Sequence, residues 1–275
     1  MSFNLGFIGG GNMSTAIFKG IQKNDNHPVS KIWVAGPHLN SLQHWKDSGA
    51  NVTTKNGKLV NNCNVIFIGV KPGVLNDALM NCLDDLSVSG SKNVLFISML
   101  VGINIECLHK ALKGLPVQSS VIRILPNTPM AVGAGSCLYT PDINVTEEQC
   151  TLFENLLKGC GVCERVSETL MDSLGILTGC GPAFMYIVIE ALADGAVKQG
   201  VPRAMALRHA AQMMVGSGEM VLQTGKHPGL LKDEVCSPGG CTICGVTALE
   251  NGKLRATLIS AVEAAVLKGK GMGKK

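Results

Sequence analysis

The chain has 275 residues and a mass of 28.9 kDa, with 46% hydrophobic and 16% charged residues and a mean hydropathy of +0.26. That composition excludes a disordered polymer and supplies interior for one large domain or two modest ones, with apolar surface left over for a homo-oligomer. The net charge of +4 comes partly from the tail Lys268, Lys270, Lys274 and Lys275, without a basic stripe interleaved with aromatics, so no nucleic-acid partner is expected.

The longest apolar runs, such as residues 93–105, read as too short and interrupted to span a bilayer, and a strand-like segment starts soon after Met1. The expectation is a cytoplasmic chain with no membrane contact and no leader. Eleven cysteines, an odd number scattered through apolar surroundings, fit reduced and mostly core thiols. The pairs Cys160/Cys163 and Cys241/Cys244 have metal-like spacing but no accompanying histidine segment, and no metal site is expected.

In chain order, short apolar runs alternate with amphipathic stretches. Strands are predicted at 5–8, 32–35, 51–54, 65–70 and 94–98, and helices at 12–22, 39–48 and 74–86. Such alternation belongs to a parallel sheet covered on both faces. Further strands at 119–125 and 135–139 flank the turn-rich Pro126-Asn127-Thr128-Pro129, a helix follows at 146–158, and residues 160–166 form a last edge strand. From Glu168 the texture changes to long Ala-, Leu- and Met-rich helical patterns at 184–199, 204–223, 242–250 and 254–267, with breaks at His227-Pro228-Gly229 and Pro238-Gly239-Gly240. The predicted fold is α/β, a doubly wound sheet over residues 1–167 followed by an all-α domain over 168–275.

Right after the first strand stands Gly9-Gly10-Gly11-Asn12-Met13-Ser14, a GxGxxG pattern with serine in the third place. Gly9 permits the tight turn, Gly11 lets a pyrophosphate approach the backbone, and the helix starting near Asn12 offers its unpaired N–H groups. The second strand ends in Val34-Ala35-Gly36-Pro37-His38, without the carboxylate that would hold two ribose hydroxyls. This favours NADPH, with His38 or Asn56 near its 2′-phosphate, and leaves NADH possible. Gly69-Val70-Lys71-Pro72 and the loop Met99-Leu100-Val101 close two further strands at the same sheet edge. Later, Val235-Cys236-Ser237-Pro238-Gly239-Gly240-Cys241-Thr242 exposes N–H groups where a helix begins, with the Ser237 and Thr242 hydroxyls as added donors. A carboxylate fits there, as does a simple N-cap with nothing bound. Thr178-Gly179-Cys180-Gly181-Pro182 reads as a point where one helix comes close to another or to a ligand, with the structural role favoured. The chain has no GK[ST] phosphate loop, HExxH or GxSxG motif.

Phe7 to Met13, Val70-Lys71-Pro72, Asn127-Thr128-Pro129, Asp194 to Gly200 and, above all, Leu231-Lys232-Asp233 through Ser237-Pro238-Gly239-Gly240-Cys241-Thr242 to Glu250 resemble the pyrroline-5-carboxylate reductase family. The resemblance implies NAD(P)H-dependent reduction of 1-pyrroline-5-carboxylate to L-proline, the last step of proline synthesis. It also implies a Rossmann domain and a helical dimerisation domain, as a homodimer able to assemble to a decamer. By the same resemblance, cofactor contacts fall on Ile8, Gly9, Gly10, Gly11, Asn12, Met13, Gly36, Asn56, Gly69, Val70, Lys71, Pro72, Met99, Leu100 and Val101. Substrate contacts fall on Glu168, Val235, Ser237, Gly239, Gly240, Cys241 and Thr242, with Thr242 and Ser237 in the catalytic role. Ser14, the Met99-Leu100-Val101 loop, Thr178 and Cys180 depart from the family pattern. On the residues alone, a β-hydroxyacid dehydrogenase with Lys198 as its catalytic lysine, or a nucleotide sensor without turnover, remain alternatives.

Overall fold

In the computed structural model, which describes residues 3–87 and 92–272, the first strand β1 (Leu5–Ile8) is buried on both faces. Lys274 and Lys275 of the basic tail lie outside the described residues. From β1 the chain enters α1 (Asn12–Lys23), β2 (Ile32–Ala35), a 3-10 turn leading into α2 (Gln43–Asp47), β3 (Asn51–Thr53), α3 (Asn56–Asn62) and β4 (Val65–Ile68). It continues through α4 (Leu75–Leu83), β5 (Asn93–Ser98), α5 (Ile105–Leu112), β6 (Gln118–Leu125), β7 (Gly135–Pro141), α6 (Glu147–Leu156) and β8 (Gly161–Arg165).

The strand order is β3-β2-β1-β4-β5-β6-β7-β8, with β1 to β6 parallel, β7 antiparallel to β6, and β8 parallel to β7 at the edge. The chain leaves β1 toward β2 and β3, then returns to place β4 on β1's other side, so a switch point lies between β1 and β4. Alternate residues of each strand feed two cores. Leu5, Phe7 and Phe67 pack with Ile17, Phe18, Trp45 and Phe153 on one face; Ile8, Ile66 and Phe96 pack with Leu59, Leu79 and Leu108 on the other.

The helical part comprises α7 (Glu168–Met171), α8 (Leu174–Lys198), α9 (Arg203–Thr224), α10 (Pro228–Val235), α11 (Cys241–Asn251) and α12 (Leu254–Met272). Two compact units result, one of Met1–Cys180 with Ala265–Lys275, the other of Gly181–Ala264. The division falls inside α8, downstream of the sequence boundary at 167, because the first turns of that helix pack on the sheet unit. Gly175 is one point of that packing, since a Cβ there would come 2.2 Å from Leu125 Cδ1.

The second unit has little interior of its own. Ala193, Ala206 and Ala210 are its buried hydrophobic centre, bordered by Ile189, Val197 and Val201, while Leu222 is 75% exposed and Ile259 69%. Helices with apolar residues all round need cover from another surface. Residues 168–198 are also long and apolar enough to cross a membrane by length and composition, which corrects the reading of 93–105 as the longest apolar run. The Gly-Pro cluster at 178–182 hid the first turns of this helix, whose pattern reads only from 184 in the sequence.

Candidate active site

The loop between β1 and α1 is shaped by three glycines with three different reasons. Gly9 has φ of +98°, and a Cβ on it would meet the Gly69 carbonyl oxygen at 2.8 Å, so the turn after β1 and the end of β4 touch backbone to backbone. A Cβ at Gly10 would come 2.4 Å from Leu42 Cδ2. Gly11, in contrast, faces open space, with nothing within 4 Å of the Cβ position, and caps α1 without a side-chain hydrogen bond. The first N–H groups of α1 are therefore presented at the switch point with room for an anion. Ser14 is buried and donates its hydroxyl to the Gly9 carbonyl at 2.5 Å, which pins the loop to its own helix.

Next to this turn a cleft is lined by Ile8, Gly9, Gly36, Asn56 and Val70, five of the expected cofactor residues, together with Thr54, Asp77 and Asn81. Asn56 opens α3 and donates its amide to the Ala78 carbonyl at 2.9 Å, tying α3 to α4. His38 lies outside that lining, exposed at the N-cap of the 3-10 turn Leu39–Leu42. Thr54, Asp77 and Asn81 carried no sequence signal of their own. Asp77 could have been sought as an acid in the first turn of the helix after the fourth strand.

A separate cavity of about 570 Å³ brings together Met13, Met99 and Val101 with Leu125, Pro126 and the start of α8. Met99 is held by its N–H on the Ile68 carbonyl at 3.1 Å. Leu100 is 1% exposed and belongs to the core cluster under the sheet, and the Ile8 side chain lies in that same cluster, so both could reach a ligand through main chain only. Lys71 and Pro72 stand in the loop after β4, beside a separate cavity.

The wall made by α8 depends on a residue that sequence reading took only as a turn former. Pro182 inside α8 has no N–H for the Thr178 carbonyl. Asn127 supplies the missing donor at 3.1 Å and accepts the Ser136 N–H at 2.8 Å, so one buried amide joins β6, β7 and α8. Arg123, on β6 beside Ser98 of β5, is buried too. Its guanidinium reaches Glu168 at 3.1 Å and Asp172 at 3.0 Å, and Glu168 also accepts the Ile105 N–H at 2.9 Å. Glu168, expected near substrate, is thus engaged in holding α5 and α7 to the sheet.

In the second unit, Gly239 has φ of +68° and Gly240 caps α11 in extended conformation, without a side-chain hydrogen bond. The Gly240 N–H donates to the Ser237 carbonyl at 3.0 Å, and a Cβ on Gly240 would sit 2.3 Å from Ser237 Oγ, so a larger residue there would force that hydroxyl to turn aside. Cys241 and Thr242 occupy the first turn, exposed, with the Thr242 hydroxyl making no hydrogen bond among the described residues. Ser237, Gly239, Gly240, Cys241 and Thr242 are therefore gathered around one helix N-terminus, that of α11. Val235, last residue of α10, is 65% exposed and borders a groove with Met220 and Leu231.

All eleven cysteines are free, five are buried, and burial pushes Cys63 and Cys82 up to about 12. Cys107, Cys241 and Cys244 are exposed, so the core accounts for fewer thiols than the composition suggested. Among the described residues no group of three or more His, Cys, Asp or Glu side chains could hold a metal ion.

Residues 168–272 match the family described as pyrroline-5-carboxylate reductase dimerisation, and residues 4–102 match the one described as NADP oxidoreductase, coenzyme F420-dependent. The chain is 40% identical over 271 residues to pyrroline-5-carboxylate reductase 3 of Danio rerio, covering 98% of this chain and 92% of that one. It is 38% identical over 265 residues to pyrroline-5-carboxylate reductase of Arabidopsis thaliana, covering 96% and 93%. Among solved structures it is similar to the pyrroline carboxylate reductase of Plasmodium falciparum with NADP bound, at a TM-score of 0.87 and 32% identity over 99% of both chains. The corresponding enzyme of Coxiella burnetii gives 0.82 and 31% over 100% of both. A switch-point glycine turn with an open helix N-terminus, followed by a helical part, defines a dinucleotide-dependent oxidoreductase. The chain belongs to the pyrroline-5-carboxylate reductase family.

Proposed function

We propose that the chain reduces 1-pyrroline-5-carboxylate to L-proline with NAD(P)H. The observation that carries this reading is a pair of helix N-termini without side-chain caps, each behind a glycine: α1 behind Gly11, suited to a pyrophosphate, and α11 behind Gly240, suited to a carboxylate. The residues around α1 fit the dinucleotide. Gly11 leaves room for the phosphates, Gly36 and Asn56 line the ribose cleft, and Met13, Met99 and Val101 line the nicotinamide cavity. β2 is followed by Gly36, Pro37 and His38 and by no acid placed to hold two ribose hydroxyls, which supports NADPH over NADH.

A bound reduced nicotinamide supplies a hydride to the imine carbon. The Cys241 and Thr242 N–H groups hold the substrate carboxylate, while the Ser237 and Thr242 hydroxyls orient the ring as the catalytic pair. Orientation is the main task, because a cyclic imine protonated from solvent is already a good hydride acceptor. We assign residues 1–167 to cofactor binding and 168–275 to substrate binding and dimerisation, with the start of α8 and the end of α12 adding to the cofactor side. The exposed apolar residues of the second unit support a homo-oligomer of dimers, up to a decamer, and the free thiols support a reducing, cytoplasmic setting.

Purified protein mixed with NADPH and 1-pyrroline-5-carboxylate should oxidise the cofactor with stoichiometric proline, followed at 340 nm and by amino-acid analysis. Cofactor binding without turnover would overturn the proposal in favour of a sensor. Light scattering on the same sample reads the oligomer size.

A further inference from the structure

The closing turns of α12 belong to the sheet unit. Gly269 is buried there, and a Cβ on it would come 2.8 Å from Ile176 Cδ1, so the helix lies close against α8 and its neighbour Lys268 has a fixed origin. Lys268 lines the cavity that holds Met13 and Met99, and it also lines a second cavity of about 530 Å³ with Lys71 and Pro72. No carboxylate lines either cavity. Among the described residues neither lysine has an ion pair or a hydrogen bond. Lys268 thus shares one cavity with Met13, where α1 presents free N–H groups, and the other with Lys71, and no carboxylate in either lining balances these positive charges. A lysine at such a point supplies a compact charge with three rotatable donors, well matched to phosphate oxygens.

We propose that Lys268 is a phosphate-binding residue of the dinucleotide site, reaching from the terminal helix to the pyrophosphate that α1 receives; this rests on the functional reading above. The end of α12 then closes the cofactor site, and cofactor affinity depends on a part of the chain far in sequence from the glycine turn.

The test is the Kd of two probes, NADPH and 2′,5′-ADP, which lacks the pyrophosphate bridge, measured by fluorescence and calorimetry on full-length wild type, Lys268→Met and Lys268→Arg. Loss of one charge-assisted contact should weaken NADPH about tenfold in Lys268→Met, with Lys268→Arg within about twofold of wild type. The 2′,5′-ADP affinity should stay level in all three. An unchanged NADPH Kd in Lys268→Met would overturn the assignment. So would equal weakening of both probes, which marks a structural effect, or a loss confined to the KM of the imine, which places the charge on substrate. Wild type that fails to bind NADPH at all would overturn the functional reading itself, an outcome distinct from the others.

Discussion

The sheet unit and the helical unit solve the problem of burial in opposite ways. Around the sheet, each strand serves two cores, and Phe7, Phe18, Phe67, Trp45 and Phe153 are all at most 1% exposed within a single chain. Around α9 and α10 the same kind of residue stands in the open, with Val215, Met220 and Leu230 half-exposed or more. The difference teaches where each part gets its stability: the first from its own interior, the second from whatever covers it. It also distinguishes the two proposed anion sites, since the turn after β1 is braced by Gly69, Leu42 and Ser14 while α11 has no buried residue.

The largest effect should come from charging that uncovered surface. Ile187 on α8 is 66% exposed, and Ile187→Glu would place a carboxylate in each copy's covered face, costing about 2 kcal/mol per copy. Sedimentation should show dissociation at concentrations where wild type stays assembled, and Tm should become concentration-dependent. Met80 on α4 is 61% exposed, and Met80→Glu should change stability by no more than about 0.5 kcal/mol without altering assembly. Equal behaviour of the two variants would erase the distinction between the units.

Within the sheet unit, Gly11→Val should lower NADPH affinity by roughly 100-fold or more, about 2.7 kcal/mol, with Tm held, because the side chain enters space that only a ligand uses. Gly10→Val should instead lower Tm, since its side chain drives into Leu42 and Trp45. Calorimetry with NADPH and thermal melts separate the two. A Gly11→Val protein that still binds would remove the open N-terminus from the site.

This contrast also shows how much could be read from residues alone. All eight strands were legible within a few residues, because continuous β-branched and apolar runs between helices have few other uses. The helix α3, Asn-Gly-Lys-Leu-Val-Asn-Asn, was not, since its sequence favours turns and it forms through Leu59 and Val60 packing under the sheet. The helix α5 was missed as well, although Asn104 accepts the Cys107 N–H as its cap. The start of α8 was hidden because glycine and proline at 178–182 normally end helices, and no local signal announces that Asn127 will serve the Thr178 carbonyl. Similarly, the glycine turn was plain, but the burial of Leu100 and the engagement of Glu168 by Arg123 depend on partners distant in sequence.

A smaller effect tests the second proposed anion site. Thr242→Ala removes a free hydroxyl from an exposed first turn, so it should raise KM for the imine about tenfold, one hydrogen bond to a charged group, while NADPH Kd stays level. Steady-state kinetics and fluorescence titration read the split, and an unchanged KM takes Thr242 out of the site.

The smallest effect concerns pH and should be confined to the sheet unit. His27 is 4% exposed, lies tilted against Phe3 at 4.6 Å between ring centres, and has a buried Nε2 without a hydrogen-bond partner. Burial, helped by the charge of Lys31, holds its pKa below the ordinary 6.5. The folded protein therefore keeps His27 neutral over a range where the unfolded chain has taken up a proton. Stability should be level above pH 6.5 and fall as pH drops from there toward the lower folded pKa. In His27→Gln that acid-side slope should shrink, measured as the Tm difference between pH 7.5 and 5.5. Hydrogen exchange should place the wild-type loss of protection in β1, α1 and β2 and leave α9 unchanged; equal loss in α9 would mean that acid acts on the covered surface of the helical unit and that His27 is a bystander.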